Sequence, residues 1–210
     1  MPRLISNASF DEKLSDLDRN YTDAEYFLSE GVVDYPLPNE DVVLPGNYRL
    51  VKSAKAHTYN GGELIKIRLI ANDNEIVYAV NLCILDDIVN EKHCTQIMVW
   101  RSSKRQHRSV ITGFAAVMFE HFSESFVIVA SDTEQTHAGR QFWKDRISDA
   151  IDDEKYVYFL DHAELSDDFV PQLNEITSFA NFISVWFDHG WGPGEEYKDR
   201  IFLISLNPLH

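Results

Sequence analysis

The stretch Arg101-Ser102-Ser103-Lys104-Arg105-Gln106-His107-Arg108-Ser109-Val110-Ile111-Thr112-Gly113 decides how this chain is read. It places four of the 19 Lys and Arg residues within eight positions, in a protein whose formal charge is −15. The run before it, Thr95-Gln-Ile-Met-Val-Trp100, has the composition of a strand, and the run after it, Phe114-Ala-Ala-Val-Met-Phe119, that of a helix. Cations at a helix start oppose the macrodipole and cost a few tenths of a kcal/mol to about 1 kcal/mol. An anion bound on the exposed helix amides reverses that penalty, because a strand–loop–helix junction forms a phosphate site. Two readings stand side by side: a solvated basic turn, and an anion site.

Outward from this turn the pattern has two halves. On the N-terminal side, apolar Phe10, Leu14, Leu17, Tyr21, Tyr26 and Phe27 recur at helical spacing, so helix is expected over 9–30. Ser9 and Glu12 fit a capping box, and Gly31 is a suitable stop. Tyr35-Pro-Leu-Pro-Asn39 is a connector. From residue 47 the period becomes two, and strands are expected at 48–57, 64–71, 76–85 and 95–101, an antiparallel meander with a hairpin turn at Asn60-Gly-Gly62. On the C-terminal side, a helix over about 111–123, an apolar strand at 126–130, a helix over about 134–151 and a strand at 156–160 alternate. Strand, helix and strand from 95 to 130 form a βαβ unit with parallel strands, whose ligands sit at the strands' carboxyl ends. The tail reads as helix from 165 to about Phe187, a Gly/Trp loop, and a last strand over 200–206. Phe179, Phe182, Ile183, Trp186 and Phe187 form an aromatic face suited to a core or to a homodimer interface. The fold class is α+β, a mixed, mostly antiparallel central sheet with one parallel βαβ pair and flanking helices.

Composition narrows the functions. Hydrophobic content of 44% and charged content of 25% are those of an ordinary globular chain of 210 residues. No apolar run approaches the ~18 residues of a membrane span. The start, Met1-Pro-Arg-Leu-Ile-Ser-Asn7, has no basic region followed by an apolar core, so no signal peptide is expected. Cys83 and Cys94 lie on apolar runs and read as buried thiols of a reducing compartment, giving a cytoplasmic protein. No Cys/His spacing forms a metal signature. Acid spread through 11–18, 149–154 and 164–168 argues against extended nucleic-acid binding, leaving one basic turn sufficient for a small phosphorylated ligand. The same acidity favours a cationic partner.

The order of elements resembles the GCN5-related N-acetyltransferase (GNAT) superfamily, of which the chain is read as a degenerate member. That family's pyrophosphate loop follows Arg/Gln-x-x-Gly-x-Gly/Ala, and Arg108-Ser109-Val110-Ile111-Thr112-Gly113 matches it at Arg108 and Gly113, with Ile111 in place of the first glycine. A second motif, Asn-x-x-Ala-x-x-Leu-Tyr, has its counterpart in Thr136-His-Ala-Gly-Arg-Gln-Phe142-Trp143. The resemblance implies a domain over 47–210 with a helical insertion at about 161–195, preceded by a helical segment and connector over 1–46. It also implies transfer of an acetyl group from acetyl-CoA, or another acyl-CoA, to an amine of a cationic small molecule, peptide or protein. The cofactor residues implied are Val99, Arg101, Lys104, Arg105, Arg108, Ser109, Val110, Thr112, Gly113 and Thr136. Strands 95–101 and 126–131 are expected to splay around the acyl group, with the amides from Ser109 to Gly113 around the pyrophosphate and a main-chain N–H near Val99 on the thioester carbonyl. Trp143 stands where many members carry a tyrosine that protonates the departing thiolate; an indole N–H donates a hydrogen bond there and cannot supply a proton. The attacking amine must lose a proton, and the candidate bases are Asp132 at the strand end and His107, expected to face solvent or phosphate, with His57 and Glu63 at the hairpin. Asp132 also fits a helix N-cap. The alternatives are a catalytically silent protein of the same fold, sensing acyl-CoA or binding a partner, and an acidic inhibitor or DNA mimic.

Overall fold

The computed structural model describes residues 3–4, 14–38, 42–59, 62–72, 74–85, 88–89, 93–130, 134–135, 137–163, 172–192, 197 and 199–210. In chain order the strands are β1 (Arg3–Leu4), β2 (Val32–Asp34), β3 (Tyr48–Ser53), β4 (His57–Tyr59), β5 (Gly62–Ala71) and β6 (Glu75–Leu85). They continue with β7 (Cys94–Arg101), β8 (Val127–Ala130), β9 (Glu134–Gln135), β10 (Tyr156–Asp161), β11 (Asn174–Glu175) and β12 (Arg200–Ser205). The architecture is mixed α+β, mostly antiparallel. Two compact units divide it: one holds Ser9–Leu85 and Ile97–Phe122, the other Met1–Ala8, Asp86–Gln96 and Ser123–His210.

In the first unit the strand order is β7-β6-β5-β3-β2, with β4 beside β5. The β2–β3, β3–β5, β4–β5 and β5–β6 pairs are antiparallel. β6 is buried from Glu75 to Cys83, so its long apolar run reflects cover on both faces rather than an alternating surface. The helix Leu17–Ser29 begins at Asp16, whose side chain accepts the amide of Arg19 at 3.0 Å, and ends before Gly31 at φ +89°. Its Ala24 and Phe27 join Leu14, Val51, Ile70, Ile76, Ala79 and Trp100 in one apolar cluster. The capping box proposed at Ser9 and Glu12 lies outside the described residues. The strand expected over 48–57 breaks after Ser53, where the hydroxyl bonds both the N–H and the C=O of Lys55, and resumes at His57. β2 is an edge strand too short to show a period; it forms because β3 pairs with it.

In the second unit the order is β11-β10-β12-β8-β7. β7 and β8 are parallel through Cys94↔Val127, Thr95↔Ile128 and Gln96↔Val129, the βαβ relation read from the sequence. β1 and β9 make a further two-residue parallel bridge. The tail departs from expectation. Residues 164–171 lie outside the described residues; among those described after them, Asn174–Glu175 is extended and pairs with Tyr158 and Phe159, and helix begins at Phe179, capped by Ser178. A π-helical turn, Phe182–Trp186, follows, then Phe187–Gly190. This wider turn puts Phe182 wholly inside, against Phe202 and Trp191, and stacks Trp186 on Phe159 at 4.8 Å. The aromatic face is therefore divided: Phe182 is core, Trp186 and Phe187 are half-buried, and Phe179 and Ile183 are exposed. Among the described residues no helix is long and apolar enough to cross a membrane.

Candidate functional site

The basic stretch leaves β7 after Arg101. The Ser102 N–H donates to the Val77 carbonyl at 2.9 Å, which keeps the departing chain against β6. A 3₁₀ turn, Arg105–His107, runs into the helical turn Arg108–Ile111, and a ten-residue helix, Phe114–Ser123, begins after Thr112-Gly113. The single helix expected over 111–123 is thus interrupted at Gly113, which sits at φ +78°, a conformation that glycine adopts without steric cost. The Thr112 amide and hydroxyl both donate to the Arg108 carbonyl, at 3.0 and 2.6 Å. Ser109 to Thr112 therefore belong to a helical turn rather than to the open loop expected there. The first-turn amides of the next helix, at Phe114 and Ala115, have no intrahelical acceptor.

His107 is 2% exposed, contrary to the expectation of a solvent-facing ring. Its Nε2 lies 3.1 Å from Glu75 Oε1 and its Nδ1 2.9 Å from the Tyr48 hydroxyl. A carboxylate only accepts, so Nε2–H donates to Glu75, while Nδ1 and the Tyr48 hydroxyl share the second bond; Gln106 Nε2 also lies 3.1 Å from Nε2. Lys104 Nζ reaches the same carboxylate oxygen at 2.7 Å and lies 5.7 Å from the centroid of the Tyr21 ring. Beside this ion pair is a small cleft with about 30 Å³ of free space. Leu14, Leu17 and Trp100 form its apolar wall; Asn20, Glu75, Ser102 and Lys104 form its polar one. Asn20 is held rigid, donating to the carbonyls of Leu14 and Ile76 and accepting the Ile76 amide, each at 2.9 Å.

Outside this network the basic turn faces solvent. Arg101, Arg105, Arg108, Ser109, Thr112 and Gly113 are exposed, and Val99 and Val110 are half-buried. A Cβ added at Gly113 meets nothing within 4 Å, so backbone there is approachable. The helix Phe114–Ser123 has no acidic residue in its first turn. Exposed guanidiniums, an approachable glycine and a helix start with no acidic residue fit a pyrophosphate.

The other sequence candidates fall elsewhere. Trp143 is 2% exposed in the helix His137–Asp152, edge-on to Phe142. Asp132 and Thr136 lie outside the described residues. Glu63 is exposed at the start of β5, paired with Thr58. His57 places Nε2 2.9 Å from Ser53 Oγ and 3.8 Å from Glu30 Oε2. Both partners meet the same nitrogen, and the Ser53 hydroxyl donates to the Lys55 carbonyl, so this is no nucleophile–base–carboxylate relay. Burial holds His57 below its ordinary pKa, reinforced by Lys66. Buried Arg68 donates to the Ile67 and Val80 carbonyls and to Asn81, and burial lowers its pKa to about 10. Cys83 and Cys94 are buried thiols, as expected. Among the described residues no group of three or more His, Cys, Asp or Glu is placed to hold a metal ion.

Sequence reasoning missed Glu75, Tyr48, Asn20 and Tyr21. Only Glu75 left a signal, as a carboxylate heading the strand Glu75-Ile-Val-Tyr-Ala-Val80 that is otherwise apolar. No family model, curated protein or solved structure matches the chain.

Proposed function

We propose that the chain is an acyl-CoA-dependent N-acyltransferase of the GNAT type, acting on a cationic amine. The observation that carries this reading is the exposed Arg101, Arg105 and Arg108 set between β7 and the helix Phe114–Ser123, with Gly113 open at the junction. Acetyl-CoA, when bound, supplies an activated thioester carbonyl and a pyrophosphate anion. Arg105 and Arg108 donate to phosphate oxygens, Ser109 adds a hydroxyl, and the amides at Phe114 and Ala115 supply the helix-end donors. Val99 and Arg101 lie on β7 in the stretch beyond the three parallel pairs. His107 acts as a positioning residue here: buried between Glu75 and Tyr48, it fixes the start of the turn. Holding amine and thioester together supplies most of the rate in such a transfer. The buried thiols agree with a cytoplasmic setting.

Isothermal titration of acetyl-CoA tests the reading. The wild type should bind saturably, with a Kd in the roughly micromolar to millimolar range, and Arg108→Ala should weaken binding about tenfold, or 1.4 kcal/mol. No heat at millimolar acetyl-CoA removes the proposal. One observation favours a second reading, binding without transfer: the Trp143 indole is buried. Binding with no acyl transfer across a panel of primary amines selects it.

A further inference from the structure

We propose that the cleft at Glu75 is a binding site for a primary ammonium group, and that Lys104 occupies it as an internal stand-in for an external amine. Its components are those an alkylammonium requires. The Glu75 carboxylate, 4% exposed, supplies the countercharge and accepts Lys104 Nζ at 2.7 Å. The Tyr21 ring supplies a π face 5.7 Å from the same nitrogen. Leu14, Leu17 and Trp100 supply apolar lining suited to a methylene stem. Asn20 and His107 are fixed by their own hydrogen bonds and hold the carboxylate side of the cleft rigid.

The carboxylate belongs to the fold, whereas the ammonium does not. Glu75 is anchored in a buried strand and bonded by His107, while the Lys104 side chain is 38% exposed and approaches from the turn. The half-exposed lysine is rehydrated when it leaves, and the carboxylate keeps its bond from His107. A tethered ammonium competes at an effective concentration on the order of millimolar, so external amines bind the wild type weakly until that competitor is removed. The role of this cleft as the acceptor site rests on the acyltransferase reading; its affinity for ammonium does not.

The test uses no thioester, so its failure leaves the acetyl-CoA titration standing, and the reverse also holds. n-Propylammonium, the fragment that Lys104→Ala removes, is titrated in about 150 mM salt to screen the surface charge. In the wild type, n-propylammonium should move the Lys104 Cε resonance to its free-lysine position, and tetramethylammonium, which has no N–H, should not. Lys104→Ala should lower the apparent Kd at least about tenfold. In that background Glu75→Gln should abolish the gain, and Tyr21→Leu should reduce it several-fold even if the Gln variant proves unstable. The proposal is overturned by an unmoved Lys104 resonance, by equal affinity of wild type and Lys104→Ala, or by binding that neither second substitution affects.

Discussion

Glu75→Ala separates the buried part of the His107 network from its exposed part. The substitution removes the acceptor for His107 Nε2–H and the partner of Lys104 Nζ. A hydrogen bond to a charged group contributes about 1.5–3 kcal/mol, and a buried donor left unsatisfied costs about 1–3 kcal/mol. His107 is 2% exposed, with Gln106 Nε2 3.1 Å from the same nitrogen, whereas the Lys104 side chain, 38% exposed, is hydrated once released. Glu75→Ala should therefore cost about 3–5 kcal/mol and lower Tm by roughly 10 °C in a chain of this size. Lys104→Ala should cost clearly less, because Glu75 keeps its bond from His107. Urea and thermal melts followed by circular dichroism give the global values. Hydrogen exchange of the β6 amides shows whether the loss is local to that strand. If Lys104→Ala costs as much as Glu75→Ala, or if Glu75→Ala costs under about 1 kcal/mol, the assignment of the energy to the buried His107 bond is wrong.

Other substitutions probe the rest of the molecule. Asn20→Ala leaves the Ile76 amide and carbonyl without their side-chain partner, and should cost about 2–4 kcal/mol by denaturant melting. Gly190→Ala drives a Cβ into the fully buried Phe202 ring, so a core overpacking loss of at least about 1–3 kcal/mol is expected. Gly113→Ala meets no atom and should cost only the roughly 1 kcal/mol of left-handed backbone; equal Tm losses for the two variants would contradict this. Burial holds the His57 and His162 pKa values below 6.5, so the unfolded chain takes up more protons as pH falls through 6.5. That part of the stability is present at higher pH and lost on acidification, whereas the Glu30–Lys55 contribution persists until pH falls below 4.5. Denaturation midpoints measured from pH 7.5 to about 5.5 should fall less steeply for His57→Gln than for the wild type.

Local pattern carried much of the architecture. The apolar strands at 64–71, 76–85, 95–101, 126–130 and 156–160 are legible because alternation or an unbroken β-branched run is a property of the segment itself. The parallel relation of β7 and β8 follows from the helical stretch between them, which leaves no short hairpin available. The stop at Gly31 and the burial of both thiols were equally local. Pairings between distant residues were not. Val32–Asp34 becomes a strand because β3 lies beside it, and Asn174–Glu175 because β10 does; neither segment is long enough to show a period. The π turn that turns Phe182 inward answers the shape of the Phe202 and Trp191 rings rather than any preference of its own residues. The same holds at the candidate site. The sequence by itself determined where the cations lie and that a helix follows them. Which of those cations face solvent was decided by Glu75 and Tyr48, 32 and 59 positions from His107, because a buried imidazole is settled by the partners the fold brings to its two nitrogens.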